Sequence, residues 1–404
     1  MTDPLPTLGE RVAFYRKRRG LSQVELGRLI GRSESWVSQV ERNTRKVDRL
    51  SVLAQVAEVL GVPVSDLAPD APAEPIEPDT ESWRTALRLA LTGHPALPLL
   101  FSGTAPDAPS GRDAQDRADD AWSLVHASRY TDAGPALVPL IGELESAVRS
   151  AAPDQRPAVA RALAAVYQAI TELFVKVGDI EVAWLAADRA LFAAERAGNL
   201  GLVAAGHHRL AHTFLSAGRL QQARHAATVA ADALRSGPPG LGVEGQSALG
   251  ALCLVRSVIE ARRGDRRAAW QAIGEAETLA EVVGAGRNDF NLEFGPANVA
   301  LHAVAVAVEL GDAGDALDRA GRVDTTGLSA ERRGRFLVDV ARAHAQRRDR
   351  GDAIAALLEA ERIAPEQIRD HPKVRVLVRD LLQDPGWRSD QDLRAFADRC
   401  GVVA

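Results

Sequence analysis

Glu34, Ser35, Ser38 and Gln39 stand at positions i, i+1, i+4 and i+5, so on a helix they form one outward face of short polar side chains. Side chains of that size and hydrogen-bonding character can read base edges in the major groove of double-stranded DNA. Arg32 and Ser33 precede this face, and Arg42, Asn43, Arg45 and Lys46 follow it, extending the same candidate surface towards phosphate oxygens. Val37 and Val40 alternate with the polar set and should turn inward. Trp36 reads as packing against its own domain, and Arg18 and Arg19 read as solvated charges.

The elements that must hold this face are short helices. Leu8, Val12 and Tyr15 recur at helical spacing before Gly20, and Ser22 is a good N-cap for a second helix carrying Leu26, Leu29 and Ile30. Gly31 ends that helix, Ser33 caps the third, and a fourth over about 49–60 stops at Gly61, with a last turn at Leu67. Residues 1–68 hold 11 basic and 8 acidic side chains, a net of +3, which leaves −8 on the rest of a chain whose total is −5. Between Arg11 and Arg49 the balance is 11 basic against 4 acidic. A basic head on an acidic body suits a polyanion-binding module joined to something that binds none.

The spacing Leu21-Ser22-Gln23-x-x-Leu26-x-x-x-Ile30-Gly31, followed by Ser33 to Glu41, resembles the lambda- and 434-repressor-like (XRE) helix-turn-helix family over roughly residues 8–67. The resemblance implies that Gln23 holds a phosphate and that Glu34, Ser35 and Gln39 fall where the family reads bases. It also implies an ion pair between Arg16 and Glu41 that ties the first helix to the recognition helix. The family's glycine after that glutamate is missing here, and Asn43 is the next-best residue for a left-handed cap.

Beyond the head, Pro69, Pro72, Pro75 and Pro78 alternate with acidic residues, so 69–80 reads as an extended, self-repelling tether in front of a connecting helix and loop over 81–115. From 116 to 404 the chain reads as a helical array. Gly178, Gly218, Gly264, Gly311 and Gly351 are followed five residues later by Ala183, Ala223, Ala269, Ala316 and Ala356. Twelve residues after the same glycines come Ala190, Ala230, Ala276, Val323 and Ile363. A turn glycine with small residues at fixed offsets is what stacked antiparallel helix pairs need. The pattern resembles tetratricopeptide (TPR) repeats with a longer period, and a sixth, degenerate unit is expected near Trp122 with its turn at Arg129–Ala133. The expected fold is therefore all-α: an N-terminal five-helix lambda-repressor-like helix-turn-helix domain plus a C-terminal α-solenoid of TPR-like helix pairs.

The TPR resemblance places Gln168, Glu172, His208 and His212 on the concave face beside an apolar floor of Leu254, Val258 and Ala261. That polar patch is a candidate site for a peptide or small-molecule effector, and its imidazoles would titrate near neutrality. Asn288, Asn291, Asn298 and His302 are further candidates, since asparagines clamp peptide backbones in pheromone-sensing regulators of this build. His208 and His212 at one-turn spacing lack a clear third ligand, so no metal is expected. Gly240-x-Gly242-x-x-Gly245 matches a dinucleotide fingerprint without the strand that should precede it. Two cysteines, Cys253 and Cys400, offer no disulfide framework, and no nucleophile or paired-carboxylate signature suggests an enzyme or a cofactor. Val299–Leu310, the most apolar run, is too short to span a membrane and carries His302 and Glu309.

The reading is a cytoplasmic, homodimeric, one-component transcriptional regulator that binds a palindromic operator. The rival reading is a protein-interaction scaffold whose head docks proteins.

Overall fold

The computed structural model describes residues 7–45, 47, 50–62, 64–68, 83–92, 111–237, 242–384, 386–387 and 390–402. Lys46, the tether at 69–80 and the Gly240 end of the dinucleotide-like match lie outside them. No strand occurs among the described residues, and the fold is all-α.

The head is built from α1 (Leu8–Arg18), α2 (Gln23–Leu29), α3 (Glu34–Glu41), α4 (Leu50–Leu60) and α5 (Val64–Leu67). Reciprocal capping boxes start the first two helices, Thr7 with Glu10 and Ser22 with Glu25, and Ser33 accepts from the backbone N–H of Trp36 to start the third. The helices close on Val12, Tyr15, Leu26, Ile30, Val37, Val40, Val56, Leu60 and Leu67, all buried. Trp36 is half-buried against this core, as its apolar bulk requires.

A connecting helix α6 (Trp83–Thr92) lays Leu87 and Leu91 on the body, which begins with α7 (Gly111–His126) and α8 (Tyr130–Ser150). Four more pairs follow: α9 (Arg156–Val177) with α10 (Ile180–Ala197), α11 (Leu200–Ser216) with α12 (Leu220–Ser236), α13 (Val243–Arg262) with α14 (Arg266–Val283), and α15 (Pro296–Glu309) with α16 (Ala313–Ala320). The sixth pair is α17 (Ala330–Arg347) with α18 (Arg350–Ile363), and α19 (Pro365–Asp370), α20 (Pro372–Gln383) and α21 (Gln391–Arg399) close the C-terminal end. α9 alone among the described helices is long and apolar enough to cross a membrane, and it is packed inside the solenoid.

One left-handed residue punctuates each pair: Ser128, Gly178, Gly218, Gly264, Gly311 and Arg348. This corrects the frame of the last repeat. Gly351 lies inside α18, and the turn is made by Arg348 at φ 67°. With that frame the alanine five residues on is Ala353, and the position twelve on is Ala360, not Ile363. Ala133, Ala183, Ala223, Ala269, Ala316 and Ala353 are then all fully buried where paired helices cross. A longer side chain at any of them would push the pair apart. Val323 falls beyond the end of α16, because that helix is only 8 residues long.

The head does not stand off on its tether. Phe14 packs over the turn at Gly264, Arg18 reaches Glu309 at the end of α15 at 2.9 Å, and Arg379 of α20 meets Glu58 at 2.7 Å. Arg19 pairs with Asp380, and Arg348 pairs with Glu25. Arg18 and Arg19 are thus drawn into the head–body contact, not solvated.

Candidate DNA interface and the concave face of the body

In the head, the candidate surface is presented as a unit. Arg32, Ser33, Glu34, Ser35, Arg42, Asn43 and Arg45 are exposed, while Gln23, Ser38 and Gln39 are half-buried. Gln39 is held at both ends of its amide, donating to Ser35 Oγ at 3.5 Å and accepting from Arg45 at 3.4 Å. A side chain so restrained loses less freedom when it meets a base edge. Arg42 folds back onto the Ser38 carbonyl at 3.2 Å, and its charge stays exposed.

The recognition helix is anchored from behind by Arg16. Its guanidinium grips both Glu41 oxygens, at 2.5 and 3.0 Å, and also donates to the Leu21 carbonyl at 2.7 Å. A bidentate pair fixes orientation as well as distance, so α1, α2 and α3 move as one body. Gln23 joins the arrangement by donating to Glu41 at 2.8 Å. This uses one of the two N–H groups of its amide inside the domain. Asn43 takes the left-handed conformation, φ 57°, as its place after α3 predicts. Its side chain accepts from Gly9 N–H at 3.0 Å and donates to Thr7 Oγ1 at 2.6 Å, so it serves the start of α1.

The concave face of the body differs from the expectation. Its polar residues do come together, but α17 fills the space in front of them. Glu172 pairs with Lys176 at 2.9 Å and Arg209 at 2.6 Å, and Lys176 also meets Glu331 of α17 at 2.5 Å. Arg332 bonds Glu293 at 3.2 Å and the Leu292 carbonyl at 3.1 Å. Burial alone would raise the Glu172 carboxyl, yet Lys176 and Arg209 hold it well below the usual carboxylate range. Glu293 is likewise brought down to about 2: burial opposes the shift, while the His126 hydrogen bond and the Arg332 charge outweigh it.

Glu172, His208, His212 and His302 surround a void of only about 10 Å³. That is room for about one water. The polar patch expected to lie open is a closed ionic core. Burial, followed for His208 by the charges of Arg209 and Arg332, depresses both His208 and His212 well below the ordinary imidazole value, and His302 falls to about 3. These imidazoles stay neutral near pH 7, which overturns the expected response around neutrality. Leu254, Val258 and Ala261 are buried core and no floor of an open groove.

The other candidates meet elsewhere. Asn298 is buried and donates to the Glu293 carbonyl at 3.0 Å, tying down the start of α15. Gln168, Asn288 and Asn291 line a separate chamber of about 420 Å³, together with Gln115, Asp119, Ser123, His126, Arg161, Ala165, Leu202, Glu244, Asp289 and Phe290. One wall is the segment 288–291 with its short 3₁₀ turn (Asp289–Asn291), in which Phe290 and Asn291 have positive φ, as does Glu293 just after it. Two glycines make room for it. A Cβ at Gly201 would lie 2.7 Å from the Phe290 ring, and one at Gly250 would overlap the Phe294 ring.

Sequence reasoning missed Glu309 and its partners. The signal was the one carboxylate, Glu309, near the end of the run Val299–Leu310, which a helix buries only if a cation waits at its end.

Comparison with known proteins bears on the head. Residues 7–69 match the family described as a helix-turn-helix domain. The transcriptional regulator SinR of Bacillus subtilis (strain 168) is 31% identical over 86 residues, 21% of this chain and 78% of SinR. SinR of Bacillus licheniformis is 31% identical over 85 residues, 21% of this chain and 77% of that protein. Among solved structures, a Rap protein complexed with competence and sporulation factor aligns over 90% of this chain and all of that one, at 11% identity and a TM-score of 0.41. Family membership rests on the head, where sequence and geometry agree: the chain belongs to the XRE family of helix-turn-helix transcriptional regulators.

Proposed function

We propose that the chain is a homodimeric, one-component regulator whose α3 enters the major groove of a palindromic operator and whose solenoid senses an effector. The reading assigns it no catalysis. The observation that carries it is the polar face of α3, with Glu34 and Ser35 exposed and Ser38 and Gln39 half-buried, clamped from behind by the bidentate Arg16–Glu41 pair and left uncovered by the docked body. A side-chain set that contributes nothing to the core, yet is fixed this firmly, suits reading base edges. One head makes few phosphate contacts, so two heads on half-sites about 34–36 Å apart are needed for tight specific binding.

The test is fluorescence anisotropy with duplexes from the gene's own upstream region. Gln39→Ala should relax preference at one base position, at a cost of about 1–3 kcal/mol on the specific site. Arg45→Ala should weaken all sequences alike and reduce the salt slope by about one unit. If both variants bind every duplex as the parent does, the recognition helix is misassigned.

A further inference from the structure

The chamber walled in part by residues 288–291 has the size of a small-molecule site, about 420 Å³. Its lining is mainly hydrogen-bonding: carboxamides from Gln115, Gln168 and Asn291, and carboxylates from Asp119 and Glu244. Gln115 donates to Asp119 at 2.9 Å, while its Oε1 is buried with no partner and awaits a donor. Asp289 is neutralised by Arg287 at 2.6 Å, and Arg161 lies 6.0 Å from the centre of the Phe290 ring. With Asp289 paired, Asp119 and Glu244 face one lining cation, Arg161, so the lining carries a net charge of −1.

The wall itself is strained. A bulky aromatic with φ 52°, followed by Asn291 at 56° and Glu293 at 49°, is a conformation that persists only where the surroundings over-determine it. Here they do. Asn288 accepts from Glu293 N–H at 2.9 Å, the Asn291 carbonyl accepts from Arg209 at 2.5 Å, and Glu293 is shared by Ser329 and Arg332.

Two residues beyond Phe294, the same segment becomes α15. That helix spans 14 residues, about 20 Å at 1.5 Å per residue, and ends at Glu309. Glu309 is where Arg18 of the head is held, beside Arg342 at 3.2 Å. One rigid element thus joins the strained wall of a chamber to the residue that fixes the head.

We propose that this chamber is the effector site, that its ligand is a polyhydroxylated cation of about disaccharide size, and that α15 transmits its occupancy to the head through the Glu309–Arg18 contact. The proposal rests on the regulator reading and names the site and ligand class for it. Paired carboxamides and carboxylates hold vicinal hydroxyl and amino groups by matched donors and acceptors, and the acidic balance selects a cation over an anion. An extended peptide would need a continuous groove, and Glu331, Arg332 and Arg335 of α17 occupy that course. Docking leaves α3 exposed, so the output is the orientation of the head. Two heads that must meet half-sites at fixed spacing are sensitive to that orientation.

The experiment uses the full chain. Thermal shift and calorimetry are run with a β-1,4 disaccharide of glucosamine, its neutral counterpart cellobiose, and the anionic disaccharide lactobionate. The diamine should raise Tm saturably, cellobiose should bind more weakly, and lactobionate should do nothing. Asp119→Asn should weaken diamine binding about tenfold, the scale of one charge-assisted hydrogen bond, and change cellobiose binding little. Arg18→Gln should bind the diamine as the parent does, but its affinity for upstream duplex should no longer respond to the sugar. No shift with either sugar, or tighter binding of lactobionate, would overturn the site. An unaltered sugar response in Arg18→Gln would overturn the transmission. Sugar binding by a chain that binds no duplex would leave the site standing and sink the regulator reading.

Discussion

The recognition helix of the head and the concave helices of the body are written in the same way, with polar residues at helical spacing on one face. They end in opposite situations. On α3 the polar face looks outward, because the five helices of the head are all consumed in closing one small core. In the body the equivalent residues of α9 and α11 look into a curve that later helices of the same chain fill, and their charges are spent on one another and on Glu331. Helical spacing says which side chains share a face. It does not say what covers that face, which depends on how far the solenoid turns.

The largest effect should therefore come from the covered face. Glu172→Ala leaves Lys176 and Arg209 buried without a shared partner, and it should cost about 3–5 kcal/mol, read as a fall in Tm by calorimetry. A melt unchanged within error would mean that the patch is solvated and open after all. Next comes the clamp. Glu41→Ala strands Arg16, whose side chain is 10% exposed, and should cost about 3 kcal/mol of head stability together with specific DNA binding.

The two regions should also respond oppositely to acid. Burial lifts Asp66 of the head to about 6, against the opposing charges of Arg262 and Arg18. With the folded pKa above the unfolded one, its contribution is present below about pH 4 and lost as pH rises through 6. His208 and His302 of the body are depressed, so their contribution is full above about 6.5 and is lost as pH falls below that value. Asp66→Asn should flatten the first dependence by up to about 3 kcal/mol, and His302→Asn should reduce the second. Identical pH profiles for parent and variants would show that these groups are not buried as described. The smallest effect belongs to the uncovered face, where Gln39→Ala and Arg45→Ala should leave stability within about 0.5 kcal/mol while altering DNA binding.

Much of the head was legible because its signals are local. Caps at Ser22 and Ser33, stops at Gly20, Gly31 and Gly61, and a left-handed Asn43 act within a few residues of where they are read. The Arg16–Glu41 pair was available only through family resemblance, and the structure contains it. In the body, helix pairing was legible from the turn glycines until Arg348 replaced one, whereupon a nearby Gly351 shifted the frame by three residues. What stayed hidden is long-range. The partner of Lys176 at Glu331, 155 residues on, and that of Arg18 at Glu309, across most of the chain, lie where no periodicity reports them.

The most direct test of the central claim is a salt titration of the full chain on duplex from its own upstream region and on scrambled duplex of equal length. The claim predicts a specific complex at least about 10³-fold tighter than the scrambled one, a log–log salt slope of several units, and a two-fold-symmetric footprint. Equal affinity for the two duplexes, or binding indifferent to salt, would contradict it.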